Sequence, residues 1–353
     1  MKKMTISDIA KEAGVAKSTV SRYLNDGYVK DATRKKIHDV IEKNGFEPSA
    51  AAQNLKLKRT KTVGIVAPTM TSRVSGRQIT AIDETLRAQG YSCMILTTNH
   101  HPEREIAAIE YLRSLRVDGI ILIATTISQE HQRLQTSSKI PFIVMGQQFR
   151  EGTSIVYDDY QAGYTIGEFA REQGHRDVIY IGVSEVDEAV GIIRKRGVMD
   201  GLHYRDQCMD LMMEETSFSY QDARVLVRDI LKYHVPSMFI CATDQLALAT
   251  LRECRDAGLR VPEDVSVAGF GGYEMSELVS PALTTIRFKN EEAGTIAANT
   301  LLSLISQKPV PVLQRIGFDF VHGESVAKVK PKEEGQTAPE MKETLPQIET
   351  KQN

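Results

Sequence analysis

Cysteine is scarce and scattered in this chain of 353 residues. Cys93, Cys208, Cys241 and Cys254 lie far apart, which excludes a disulfide framework and any CxxC-type metal site. Their apolar surroundings suggest reduced core residues in strands or helices. His100-His101 beside Pro102 has no HExxH companion, so a solvated turn is expected there rather than a metal ligand. Gly269-Phe270-Gly271-Gly272 is neither GxGxxG nor a phosphate loop, and no serine elbow motif is visible; a nucleotide enzyme or a serine hydrolase is not expected. No cofactor is implied. No run approaches the ~20 apolar residues of a membrane span, and the opening MKKMTISDIA has no apolar signal core. The expectation is a cytoplasmic protein without membrane contact.

The first sixty residues stand out instead. They hold thirteen Lys or Arg against seven Asp or Glu, a balance of +6, which leaves −8 for the remainder of a chain whose net charge is −2. A basic head on an acidic body predicts that the head alone meets a polyanion. Within it, TISDIAKEAGVAKSTVSRYLN (Thr5 to Asn25) reads as two short helices. Ile9, Ala10 and Ala13 recur at helical spacing, as do Val20 and Leu24, so the two can bury against each other around a turn at Gly14. Lys17, Ser18, Ser21, Arg22 and Asn25 fall opposite Val20 and Leu24. Such a face suits a major groove, because Arg and Lys donate to guanine, Asn pairs with adenine, and small hydroxyls reach phosphates.

A third helix, ATRKKIHDVIEKN, places Ile37, Val40 and Ile41 on one side and ends at Gly45. The following GFEPSAAAQNLKLKRTKT predicts a short Ala-rich helix from Pro48-Ser49 to about Leu57. A helix below ~12 residues is marginal by itself, so this linker reads as a segment that orders on DNA, with Leu55 available as a minor-groove wedge. The alternative is an ordinary tether carrying a stray Leu.

From Thr62 the pattern becomes alternating strand and helix. TVGIVAP, SCMILTT, GIILIAT and PFIVMG form one series of apolar runs, and TSIVYDD, DVIYIGV, SMFICATD and VSVAGF a second, with helices over 160–173, 188–203, 220–232, 243–257 and 290–306 in the second half. This predicts an α/β fold with two lobes of parallel sheet covered on both faces. Ligands bind such sheets at the carboxyl ends of the strands, so the gap between the lobes is the expected pocket.

Taken together, the helix pair, VKDATRKKI, PSAAAQNL and the strand series resemble the lactose-repressor (LacI/GalR) family of bacterial transcription regulators, over nearly the whole chain to about Lys328. The resemblance implies a periplasmic-binding-protein-like body with discontinuous lobes, a homodimer on double-stranded operator DNA, and a sugar or sugar-phosphate effector. It implies that Lys17, Ser18 and Arg22 read bases, that Thr5, Thr19, Ser21 and Thr33 hold phosphates, and that Leu55, with Ala52 beside it, enters the minor groove. For the effector it implies Arg194 on a hydroxyl or anionic group and Phe218 as a stacking aromatic. Arg73 and Arg77 follow PTMTS in a segment that touches ligand in relatives. Thr243, Asp244, Gly271 and Asn290 complete the candidate set. Alternatives remain for several: Arg194 as a solvated charge in Arg194-Lys195-Arg196, Phe218 as a core residue, Asp244 as a helix cap, Arg73 and Arg77 outside the pocket.

Two departures from the family pattern matter. Gly271 replaces a carboxylate in the usual GFDD, and Gly146 stands at a position often occupied by Asp. Losing both acceptors predicts a roomier, less negative pocket, and several arginines with few carboxylates would favour an anionic ligand. GFGGYEMSELVSP and TSRVSGR look most like the sucrose and trehalose operon regulators of the family.

The tail, 329–353, is rich in Lys, Glu, Gln and Thr and is interrupted by Pro331, Pro339 and Pro346, which predicts a flexible end. It lacks the leucine-repeat helix that joins some relatives into tetramers, so a dimer is expected. The expected layout is a helix-turn-helix domain at 1–48, a hinge and linker at 49–61, an effector-binding body at 62–328, and the tail. The expected function is a repressor of a carbohydrate operon, not an enzyme. A transport receptor and a corepressor-dependent regulator are the alternatives.

Overall fold

The computed structural model describes residues 4–24, 27–46, 59–70, 72–99, 101–137, 139–150 and 152–329. The chain divides into two compact units, one made of Met1–Tyr157 with Lys289–Gly317 and the other of Asp158–Phe288 with Phe318–Asn353.

The first unit begins with three helices, α1 (Ile6–Glu12), α2 (Lys17–Tyr23) and α3 (Asp31–Lys43). Ile9, Ala10, Ala13, Val20, Val29 and Ile37 form their common core, so the helical spacing seen in the sequence is the spacing that buries. Gly14 takes φ +63 in the α1–α2 turn with nothing near its missing side chain, a backbone state that other residues adopt at a cost.

Its sheet has the order β11-β5-β4-β3-β1-β2, built from β1 (Thr62–Ala67), β2 (Ser92–Thr97), β3 (Gly119–Ile123), β4 (Phe142–Met145), β5 (Thr153–Tyr157) and β11 (Leu313–Ile316). All its pairings are parallel. Side chains alternate between faces: Val63, Ile65, Ile121 and Ile123 bury on one side under α4 (Arg73–Arg87) and α12 (Asn290–Ile305). Val66, Ile120 and Leu122 bury on the other, under α5 (Pro102–Ser114) and α6 (Gln129–Ser137). Full burial of each such side chain contributes roughly 1.5–3 kcal/mol, which explains the near-continuous apolar runs. TSIVY, expected to open the second strand series, instead lies in this first sheet between β4 and β11. Four of its five residues are buried, with strands on both edges.

The second unit has the order β12-β10-β9-β8-β6-β7, from β6 (Asp177–Val183), β7 (Asp210–Thr216), β8 (Met238–Cys241), β9 (Ser266–Gly271), β10 (Thr284–Phe288) and β12 (Phe318–Val321). β12 alone runs antiparallel to its neighbour. Around this sheet lie α7 (Asp159–Glu172), a π-helix at Glu188–Arg194 that continues as α8 (Lys195–Leu202), α9 (Tyr220–Ile230), α10 (Asp244–Asp256) and the short α11 (Glu274–Leu278). The single helix expected over 188–203 is thus two segments of different winding.

α7 and α8 cross at backbone contact. A Cβ on Gly163 or Gly167 would stand 2.2 or 2.4 Å from the carbonyl oxygen of Arg194 or Val198, and one on Gly197 or Gly201 would stand 2.1 or 2.3 Å from that of Tyr160 or Tyr164. Two glycines four residues apart on each helix therefore make the crossing sterically possible.

Among the described residues, no helix is long and apolar enough to cross a membrane, and no group of three His, Cys, Asp or Glu could hold a metal. Cys241 and Cys254 are buried as expected, and burial pushes both thiols up to about 12. Cys208 corrects the expectation: it is exposed, in the turn before β7.

Candidate functional site

Three groups of candidate residues are placed by these elements. On the head, α2 presents Lys17, Ser18 and Arg22 to solvent, while Thr19 and Ser21 are half-buried. No side chain caps the α2 amino end at Ala16. Thr5 is the N-cap of α1: its hydroxyl accepts from the Asp8 amide and Asp8 returns a bond to the Thr5 amide at 2.9 Å. Thr33 lies half-buried in the first turn of α3. Glu12 ties α1 to the end of α3 through Lys43 at 2.9 Å and Asn44 at 3.2 Å, bonds that hold its carboxyl below the usual range. Asn25, Ala52 and Leu55 lie outside the described residues.

The second group gathers at the carboxyl ends of the strands of the second sheet. Arg194, the last residue of the π-helix, is only 5% exposed, which rules out the solvated-charge alternative. Its Nε and Nη2 donate to Asp159 Oδ1 at 3.0 and 2.6 Å, and its Nη1 donates to the Ala242 carbonyl at 2.6 Å. The guanidinium carbon also lies 5.1 and 4.9 Å from the ring centres of Phe270 and Phe288, within cation–π range. Burial raises the Asp159 carboxyl above its ordinary value, and the Arg194 charge opposes that shift. Three of the five guanidinium N–H groups are used in these bonds, and two remain to offer.

Phe218 follows β7, half-buried, and its carbonyl accepts from Gln245 Nε2 at 3.1 Å; it is not a core residue. Thr243, not Asp244, caps α10, its hydroxyl accepting from the Leu246 amide. Asp244 is fully buried, and its carboxylate accepts from Ser276 Oγ at 2.7 Å, the Tyr273 amide at 3.1 Å and Thr285 Oγ1 at 2.5 Å. Burial raises its pKa and these bonds lower it. With its oxygens engaged by the protein, Asp244 ties α10 to α11 and β10.

At GFGG the main chain is closely covered by its neighbours. A side chain at Gly271 would meet the Tyr273 ring at 2.6 Å. At Gly272, φ +62, it would meet Arg287 Cβ at 2.4 Å. The Tyr273 ring and the Arg287 strand thus lie where a side chain at either position would begin. Gly146, by contrast, is open, with φ +86 and only the Ala124 carbonyl within 4 Å.

The third group lies in the first unit, where α4, α12 and the end of β5 meet. Arg73 is exposed in the first turn of α4, and Arg77, one turn on, is paired with Glu291 at 3.5 Å. Asn290 is buried and accepts from the Tyr157 hydroxyl at 2.6 Å, which in turn accepts from Gln78 Nε2 at 2.8 Å. Arg194 and Arg77 thus each face a carboxylate, Asp159 and Glu291, so the expectation of several arginines with few carboxylates does not hold at these two positions.

Sequence reasoning missed Asp159, Gln78 and Tyr157. The Asp158-Asp159 pair directly after a strand was the one visible signal for the first; nothing local marks the others.

Residues 5–49 match the family described as bacterial regulatory proteins, lacI family, and residues 168–326 match a periplasmic binding protein-like domain. The chain is 36% identical over 315 residues to the sucrose operon repressor of Staphylococcus xylosus, covering 89% of this chain and 97% of that protein. It is 30% identical over 314 residues to the HTH-type transcriptional repressor PurR of Histophilus somni (strain 129Pt), covering 86% and 93%. By fold it is similar to the Lac repressor dimer bound to operator and an anti-inducer, with a TM-score of 0.84 at 23% identity over 92% of this chain and 100% of that one. A head of three helices followed by two six-stranded units, with these likenesses spanning nearly its whole length, places the chain in the lacI family of bacterial regulatory proteins: it is a DNA-binding transcriptional repressor, not an enzyme.

Proposed function

We propose that this repressor works in the cytoplasm as a homodimer on a pseudo-palindromic operator of a carbohydrate-utilisation operon, and that a sugar of the sucrose or trehalose type, or its phosphate, controls it. The observation that carries the effector reading is the buried Arg194, held by Asp159 and lying against Phe270 and Phe288. A guanidinium with two N–H groups to offer, next to aromatic faces, suits hydroxyl-rich rings. The likeness to a sucrose operon repressor points the same way. Because Arg194 and Arg77 each already face a carboxylate, an uncharged disaccharide is favoured over its phosphate.

This reading assigns Arg194, Phe218, Thr243 and the Gly271 backbone of the second unit to effector binding, and, as separate candidates, Arg73, Arg77 and Asn290 of the first unit. Asp244 acts by holding that surface in shape. Lys17, Ser18, Arg22 and Asn25 read bases, Thr19, Ser21 and Thr33 hold phosphates, and Thr5 starts the first helix where it meets the backbone of the duplex. Ala52 and Leu55 enter the minor groove. Residues 1–48 are the reading head, 49–61 the hinge, 62–328 the effector body and 329–353 a tail.

Calorimetric titration of the full chain with sucrose, trehalose, sucrose 6-phosphate and glucose tests it. A disaccharide or its phosphate should bind most tightly. Tighter binding of glucose than of all three others would overturn the effector assignment.

A further inference from the structure

The chain enters the first sheet through a knot built on one side chain. Asp118, in the bend before β3, accepts from the Thr60 amide at 2.8 Å and the Thr60 hydroxyl at 3.1 Å through Oδ1, and from the Lys61 amide at 3.1 Å through Oδ2. Its own amide donates to the Thr62 carbonyl at 2.8 Å. Lys61 is held at φ +52, a left-handed state that a lysine adopts only where its surroundings impose it. Its carbonyl accepts from the Ser92 amide at 2.9 Å, and its ammonium lies 4.1 Å from the centre of the Tyr91 ring.

Two residues before Lys61, Arg59 Nη2 donates to the carbonyl of Ile305 at 3.1 Å, at the negative end of α12. The other end of that helix is Asn290, bonded to Tyr157. α12 is 16 residues long, about 24 Å at ~1.5 Å per residue. It is pressed against α4 so closely that a Cβ on Gly294 would stand 2.5 Å from the Gln78 carbonyl. One stiff element therefore runs from the candidate effector residues of the first unit to the place where residues 59–62 are tied down.

We propose that Asp118 is a positioning residue for operator binding: by clasping Thr60 and Lys61 it fixes the direction in which the backbone leaves the first sheet toward the DNA-binding head. It touches neither duplex nor effector. The proposal rests on the repressor reading, and it adds that the specificity of the head depends on this clasp.

The test uses the full-length protein and two probes: the duplex that the wild type selects from random-sequence DNA, and a scrambled duplex of the same composition. Asp118→Ala should weaken binding to the selected duplex about tenfold or more, within the range of known couplings, and leave binding to the scrambled duplex and its salt dependence unchanged. Asp118→Asn, which keeps one acceptor oxygen, should fall between. Wild-type affinity for both probes, or equal loss on both, would overturn the clasp. Should thermal melting show that Asp118→Ala does not fold, Thr60→Pro, which deletes both Thr60 donors to Asp118 without changing any charge, carries the same expectation, and unchanged selectivity there overturns it too. If the wild type selects no duplex, the repressor reading itself falls; if it selects one and the variants match it, only the clasp does.

Discussion

Arg194 turns two of its nitrogens onto a single oxygen of Asp159, at 2.6 and 3.0 Å, with both side chains almost wholly removed from water. Neutralising one partner of a buried pair leaves the other charge uncompensated, which costs about 3–5 kcal/mol. Asp159→Asn should lower the stability of the protein by an amount in that range in urea unfolding, and should weaken sugar binding more than Asp158→Asn does. A stability within 1 kcal/mol of wild type, roughly the scale of an exposed pair, would show that the pair does not hold Arg194.

The same arginine depends on glycines that never touch it with a side chain. Gly163→Ala sets a methyl group 2.2 Å from the Arg194 carbonyl, so α7 and α8 must separate. Overpacking of this kind costs roughly 1–3 kcal/mol. We expect a lower melting temperature together with a loss of effector affinity, whereas Gly76→Ala, inside a helix and with nothing within 4 Å, should leave effector affinity unchanged and raise the melting temperature slightly.

His175 gives a pH signature. Its ring lies between Ser237 Oγ and the Ala327 carbonyl, each at 3.1 Å, and burial pushes it down to about 4 from an ordinary value of 6.5. A folded-state value below the unfolded one means that the stabilisation is complete above about 6.5 and is lost as pH falls toward 4. Between pH 7 and pH 5 the loss from this group is about 2 kcal/mol. Urea midpoints across that range should fall accordingly in the wild type and more shallowly in His175→Gln.

Arg22 and Lys35 are both exposed on the head, and the proposed roles separate them. Arg22→Ala should relax preference at one operator position, a loss of roughly 1–3 kcal/mol against the best sequence. Lys35→Ala should weaken all duplexes alike and flatten the salt dependence. Competition binding with single-base operator variants distinguishes the two; equal losses on operator and random duplex for both variants would remove Arg22 from the reading face.

The head was legible because Ile9, Ala13 and Val20 sit at helical spacing and bury at that spacing. The strands buried on both faces were legible for the same reason, as apolar runs such as GIILI. β7, DLMMEET, was missed because it is a half-exposed edge strand. β11 and β12 were missed because LQRI and FDFV are only four residues long, broken by polar side chains and largely unburied. Arg194 could be found from the motif around it, but Asp159 lies 35 positions away and meets it only through the glycine crossing. Asp244 shows the opposite limit: its position at a strand end was readable, whereas the Ser276, Thr285 and Tyr273 donors that occupy it are brought together by tertiary structure alone.

Both sheets are finished by nine consecutive residues. Leu313–Ile316 pairs with β5, and Phe318–Val321 pairs with β10. During synthesis the first sheet lacks its last strand until Ile316 has been added, and the second lacks its last strand until Val321 has been. A chain that stops between Phe288 and Leu313 would leave the β5 and β10 edges without these partners and open to aggregation, so such a product should be cleared by proteolysis instead of persisting as a partly active fragment.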